Sequence, residues 1–183
     1  MKHIILSSIL SVLLIGSGAH ANKVKENDSF PAFKLSGLRD KRDKPVDLKS
    51  LKKRNKVIIL DFWASWCGPC REAMPILDKI YSKYKKKGVT VIGINVDNDK
   101  GSGRKFTDEV KVQFPLVFDD GQKVSGKVGV PAMPSSYILD SSGKVRFIHK
   151  GFYPGDDKKF EAEIVELLKS KSKRKPARSR AKK

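Results

Sequence analysis

The 183-residue chain carries a formal charge of +19, with 39% hydrophobic and 32% charged residues. That length supports one domain with a proper core plus short appendages. Beyond the first residues no stretch is apolar for long enough to cross a membrane. The charge turns attention to anionic partners such as lipid headgroups, acidic polymers or nucleic acid, without choosing among them.

Residues 1–21 read as a cleaved export signal. Lys2 and His3 give a short basic start, Ile4 to Ile15 an apolar run, and Ala19-His20-Ala21 the small-x-small pattern of a cleavage site. An uncleaved membrane anchor is the rival reading, against which the run is short. A periplasmic or otherwise exported protein follows, with a folded body over residues 22–168. Residues 169–183 (KSKSKRKPARSRAKK) contain nine basic residues and no acidic one, and Pro176 interrupts them. They read as a disordered, solvated tail, with an anionic surface or nucleic acid as the alternative role.

Within the body, short alternating pieces between Phe30 and Leu48 suggest a small β-hairpin. Val57 to Leu60 is a β-branched apolar run, the mark of a strand buried on both faces. Met74, Leu77, Ile80, Tyr81 and Tyr84 recur at helical spacing after Cys67, which gives an amphipathic helix stopping at Gly88, with Pro75 inside it as a kink point. Val89 to Val96 is a second buried strand, so strand, helix and strand form a parallel βαβ unit with a right-handed crossover. A helix is expected around Gly103 to Val112, a strand at Leu116 to Phe118, and a short helix or loop at Lys123 to Val128. Ser135 to Leu139 and Lys144 to His149 flank Asp140-Ser141-Ser142-Gly143 as a hairpin, and a last helix runs from about Asp156 to Leu168. The sum is an α/β three-layer sandwich, a mixed central sheet flanked by helices, with an N-terminal β-hairpin extension.

The only two cysteines stand in DFWASWCGPC, as Cys67 and Cys70 with Gly68 and Pro69 between them. A zinc site needs four ligands, and His149 is the one histidine left after the signal. A structural staple is a second account, although so small a loop gives only roughly 2 kcal/mol of chain-entropy stabilisation. The third account is thiol–disulfide exchange. Cys67 at a helix N-terminus gains thiolate character from free N–H groups and the dipole. It attacks a partner disulfide, and Cys70 resolves the mixed disulfide. C-x-x-C beside a βαβ pattern supports this account where a lone C-x-x-C would not.

Three segments, FWASWCGPCREAMP (62–75), VTVIGINVD (89–97) and VGVPAMPSSYILDSSGKV (128–145), resemble the thioredoxin superfamily, and within it the exported TlpA- and ResA-like thiol:disulfide oxidoreductases. The resemblance covers roughly Ser29 to Leu168 and implies a thioredoxin-like fold with Cys67 as the attacking thiol. It also implies a cis proline at Pro134, with Met133 pairing strand to strand with an extended substrate; the plain alternative is that Pro131 and Pro134 only shape a loop. Asp61 matches the buried aspartate that helps move the proton of the second thiol, where many TlpA-like relatives carry Asn. Its plain alternative is a strand-end carboxylate reaching solvent or capping a turn. The lysine that thioredoxins place on the neighbouring strand corresponds to about Gly93, a departure that weakens the proton relay. Trp63 reads as core and Trp66 as the rim of the site, so Trp66, Gly68, Pro69, Met133 and Pro134 form the expected substrate surface.

Asp97, Asp99 and Gly101 only faintly match a calcium loop, and 101–106 fails the dinucleotide fingerprint. No metal or cofactor is expected. The expected partners are disulfide-containing proteins and, from the resemblance, a membrane thiol carrier that recharges a monomeric reductase serving cytochrome c maturation. An oxidant or isomerase of the same fold, and a basic anionic-polymer-binding module with an inert disulfide, are the competing functions.

Overall fold

The computed structural model describes residues 23–172. The expected signal and the part of the expected tail from Lys173 onward lie outside the described residues. Seven strands form one mixed sheet: β1 (Lys34–Gly37), β2 (Val46–Asp47), β3 (Val57–Trp63), β4 (Val89–Asn95), β5 (Leu116–Phe118), β6 (Ser135–Asp140) and β7 (Val145–Lys150), in the order β2-β1-β5-β4-β3-β6-β7. Five α-helices connect or follow them: α1 (Leu48–Arg54), α2 (Gly68–Tyr84), α3 (Lys100–Glu109), α4 (Lys123–Val128) and α5 (Asp156–Ser172). This is the α/β thioredoxin fold.

The two continuous apolar runs take the centre. Every residue of β3 and of β4 is buried, and the two strands pair in parallel from Val57↔Val89 to Trp63↔Asn95. β4 and β5 are also parallel, whereas β6 runs antiparallel to β3 and forms a hairpin with β7. Two successive right-handed crossovers in the same direction, β3-α2-β4 and β4-α3-β5, put α2 and α3 on one face. Side-chain contacts bind that layer together. Trp63 packs against Phe106 of α3, Tyr81 of α2 against Phe114, and Lys83 of α2 pairs with Glu161 of α5. The opposite face is packed by Phe30, whose ring meets those of Phe62 and Tyr137.

α2 keeps its buried stripe of Met74, Leu77, Ile80 and Tyr84 and continues through Pro75. A tighter turn over Lys85–Lys87 then leads into Gly88, whose φ of 90° is the left-handed conformation that favours glycine. The N-terminal hairpin forms as expected, with Lys34 opposite Asp47. β1 also pairs with β5, so the hairpin extends the main sheet.

Three elements differ from the sequence reading. α1 was not anticipated, because LKSLKKR reads as surface charge; Asp47 starts it by accepting the Ser50 N–H at 2.8 Å. α3 begins three residues earlier than expected, because Asp99 caps it through the Ser102 N–H at 2.8 Å. α5 extends to Ser172, four residues past Leu168, since nothing in Lys169 to Ser172 breaks a helix.

Asp119 has no solvent exposure, and its carboxylate accepts the N–H groups of Val124 and Ser125 and the Ser125 hydroxyl. Asp119→Ala strands those donors. It should lower stability by about 2 kcal/mol, read as a shifted urea unfolding midpoint with unchanged slope.

Candidate active site

The site lies where β3 gives way to α2. Val96 N–H bonds the Trp63 carbonyl at 3.0 Å, extending the β3–β4 contact one step beyond the paired residues. Asp97 then grips the loop that follows. Its two carboxylate oxygens accept the Ser65 N–H at 3.0 and 3.1 Å, and Oδ1 also accepts the Ser65 hydroxyl at 3.1 Å. The Asn95 amide donates to its Oδ2 at 2.9 Å. Asp97 is thus a buried structural clamp and Asp99 a helix cap, which gives both a role other than the calcium loop.

Cys67 follows this loop at the N-cap of α2, with its Sγ accepting the Cys70 N–H at 3.2 Å. The two cysteines are joined as a disulfide, with Cα atoms 5.3 Å apart. Cys67 is 5% exposed and Cys70 is fully buried. The first sulfur is therefore the one an incoming thiol or disulfide can reach, and the helix N-terminus faces it with N–H groups that lack an intrahelical partner. Gly68 and Pro69 occupy the first helical positions, where a missing proline N–H takes nothing from the helix.

The other expected site residues gather at the same end of the sheet. Ser135 pairs with Phe62, which sets Pro134 beside the end of β3, and the Met133–Pro134 bond is cis. Met133 is partly buried against the core. The Pro134 carbonyl accepts the Gly151 N–H at 2.7 Å, tying this turn to the segment after β7. Trp63 is fully buried, whereas Trp66 is 73% exposed. Tyr153, two residues beyond Gly151, is the other large hydrophobic side chain left open among the described residues, at 64%. Sequence reading missed it because a lone tyrosine in a loop carries no periodic signal.

Asp61 sits in the middle of β3, 1% exposed. Its Oδ1 accepts the Ser136 hydroxyl at 2.6 Å, and its Oδ2 has no hydrogen-bond partner. Desolvation lifts its pKa from 3.8 to about 7, against the opposing pull of the Ser136 bond. Gly93 lies directly opposite on β4. A Cβ there would come within 2.5 Å of the Leu116 side chain and 3.1 Å of the Trp63 indole nitrogen. The place of a lysine is therefore already filled by Leu116 and Trp63, and no cation offsets the buried carboxylate from this strand.

A family model described as Redoxin matches residues 25–164. The chain belongs to the Redoxin family. This redoxin is 35% identical over 143 residues to the thiol-disulfide oxidoreductase ResA of Bacillus anthracis, covering 78% of this chain and 80% of the relative. It is 31% identical over 171 residues to ResA of Geobacillus thermodenitrificans, with 90% and 94% covered. Among solved structures, one described as a thiol:disulfide interchange protein DsbE from Chlorobium tepidum superposes with a TM-score of 0.73 at 36% identity, covering 80% of this chain and 99% of that one. One described as a protein disulfide isomerase from Bacteroides thetaiotaomicron gives 0.70 at 30% identity, covering 80% and 91%. The redoxin is a thioredoxin-superfamily thiol:disulfide oxidoreductase of the TlpA- and ResA-like kind, acting on protein disulfides. Among the described residues no helix is long and apolar enough to cross a membrane.

The buried carboxylate makes a pH-dependent prediction. The folded redoxin holds the Asp61 proton up to about pH 7, while the unfolded chain releases it near pH 4. Stability therefore falls as pH rises from about 4 to about 7 and levels off above that window. Asp61→Asn stays neutral throughout. In the oxidised protein it should raise stability above pH 7 by on the order of 4 kcal/mol, with the gain vanishing below about pH 4, as read by urea unfolding across pH.

Proposed function

We propose that this redoxin is an exported reductase of protein disulfides, with Cys67 as nucleophile, Cys70 as resolving thiol and Asp61 as the base for Cys70. The observation that carries the reading is the asymmetry of the pair. The Cys67 sulfur caps the helix N-terminus and keeps 5% exposure, and Cys70 lies fully buried one turn inside.

In the reduced state the Cys67 thiolate attacks one sulfur of a substrate disulfide, forms a mixed disulfide and releases the first substrate thiolate. Asp61 takes the proton of Cys70. The Cys70 thiolate attacks Cys67, closes the internal disulfide and expels the second substrate sulfur. Two electrons pass from enzyme to substrate, and a membrane thiol carrier restores the dithiol. The substrate backbone lies against Met133 and Pro134, with Trp66, Gly68 and Pro69 forming the near wall. The Gly68-Pro69 dipeptide favours the reducing direction, and the likeness to ResA supports a place in cytochrome c maturation. The apolar start of the sequence supports export. The basic tail supports attraction to anionic surfaces.

The equilibrium potential of the pair against glutathione tests the direction. A value near the thioredoxin range of about −270 mV is expected, and one near the strongly oxidising end at about −120 mV would reverse it. Cys67→Ser should abolish reduction of insulin by dithiothreitol-driven enzyme, while Cys70→Ser should accumulate mixed disulfides with its substrates in cell extracts. A Cys67→Ser protein that still reduces insulin at the wild-type rate would overturn the assignment of the nucleophile.

A further inference from the structure

The end of the sheet opposite the disulfide gathers segments that lie far apart in the chain. α1 ends at Arg54 and β3 begins at Val57; α2 leads through Lys85–Lys87 to β4, which begins at Val89. Val57 lies opposite Val89 on one side and Asp140 on the other, so the β6–β7 turn joins the same edge. The Gly88 carbonyl accepts the N–H groups of Lys56 at 2.7 Å and Val57 at 3.2 Å. Lys52 packs against the turn, since a Cβ on Gly143 would come within 2.9 Å of its Cδ. The Lys56 stem packs on Gly88 in the same way, at 3.2 Å.

Positive charge is concentrated on this end. Lys52-Lys53-Arg54, Lys56, Lys85-Lys86-Lys87 and Lys144 are all exposed, eight cations on one surface. Three carboxylates border them. Asp47 caps α1 and feels Arg54, Asp140 lies 3.6 Å from Arg146, and Asp28, beside the start of β7, accepts the Lys25 N–H. Neither triplet closes an ion pair among the described residues. A helix C-terminus accounts for a cation or two in its last turn. It does not account for two triplets and two further lysines side by side, which repel one another. Two of the lysines are also held in place, Lys85 over the Tyr81 ring at 5.4 Å and Lys87 over the Tyr84 ring at 5.0 Å. Among the described residues the large exposed hydrophobic side chains, Trp66 and Tyr153, belong to the disulfide end. Dense cations without an exposed aromatic platform suit the phosphates of lipid headgroups better than single-stranded nucleic acid, whose bases need faces to stack on.

We propose that this basic end docks on anionic phospholipid bilayers and turns the Cys67–Cys70 pair away from the lipid. The choice of lipid over nucleic acid rests on the reading of the protein as exported. α2 spans the distance between the two ends, about 25 Å for its 17 residues. The disulfide is carried about that far above the headgroups, the height at which a carrier or a substrate must present its sulfurs. The contact is electrostatic and reversible, so salt releases it.

The test uses the chain from Asn22 to Lys183, the expected mature form, with vesicles of equal parts phosphatidylglycerol and phosphatidylcholine. Sedimentation reads the bound fraction. Binding is expected at low salt, is lost at high salt, and is absent on phosphatidylcholine alone. Replacing either triplet, Lys52, Lys53 and Arg54 or Lys85, Lys86 and Lys87, by Gln should weaken binding about tenfold. Replacing three exposed lysines elsewhere, Lys123, Lys127 and Lys158, by Gln should leave it nearly unchanged. Both tryptophans of the chain stand at the disulfide end, so bromine-labelled lipid should leave their fluorescence unquenched. Equal losses in all three variants would reduce the effect to overall charge and overturn the docking surface. Binding that survives both triplet variants but disappears when the basic residues of 173–183 become Gln would assign it to the tail and overturn the surface as well. Quenching by the labelled lipid would overturn the orientation. Tighter binding to a single-stranded oligonucleotide than to the vesicles would overturn the choice of lipid. A failure on vesicles leaves export and the redox chemistry untouched, because sedimentation reads neither.

Discussion

The carboxylate of Asp97 accepts the Ser65 N–H through both oxygens, and the position of the Cys67 sulfur depends on that contact. β3 and β4 stop together at Trp63 and Asn95. From there the chain must leave the sheet, turn within four residues, and start α2 with Cys67 as its cap. Loops of this kind carry unpaired backbone groups, and a buried one has to satisfy them within the protein. Asp97 does so from just beyond the end of β4, and the Asn95 amide holds Asp97 in turn. The parallel pairing of two apolar strands is thus converted, through one carboxylate, into the placement of the cysteine pair.

β3 itself holds a second carboxylate under the opposite regime. Asp97 has donors on both oxygens, from Ser65 and Asn95. Asp61 has one donor, Ser136, and one oxygen with no partner at all. That difference separates the two roles. A fully satisfied carboxylate rigidifies, whereas a poorly satisfied one sits near the midpoint of its titration at neutral pH and can exchange a proton. The fold tolerates the resulting loss of stability because β3 is buried along its whole length between β4 and β6.

Much of this was legible in the residues. Val57 to Leu60 and Val89 to Val96 announce central strands because only a buried parallel pair tolerates such runs. The cysteine spacing and the helical stripe from Met74 to Tyr84 place the thiols at a helix start. What escaped reading was held by single polar contacts between distant segments. Asp97 looks like a loop residue until Ser65, 32 positions earlier, is brought beside it. Ser136 looks like an ordinary strand residue until the register sets it opposite Asp61. The start of α3 was misplaced for a related reason: Asp99 is a cap only if the chain after it turns helical, and Gly101 and Gly103 argue locally against that. Gly103 is admitted because a Cβ there would strike the Asn95 amide, a close packing that the sequence does not display.

Gly93 has an evolutionary consequence. A Cβ at this position would strike the Leu116 side chain at 2.5 Å and press on the Phe114 ring and the Trp63 indole at 3.1 Å. A lysine introduced here therefore requires Leu116 to move and Phe114 and Trp63 to give way slightly. A lineage that starts from this packing meets a steric cost at Gly93 before a lysine there can reach Asp61, so the route to a lysine-assisted site runs through rearrangement of Leu116.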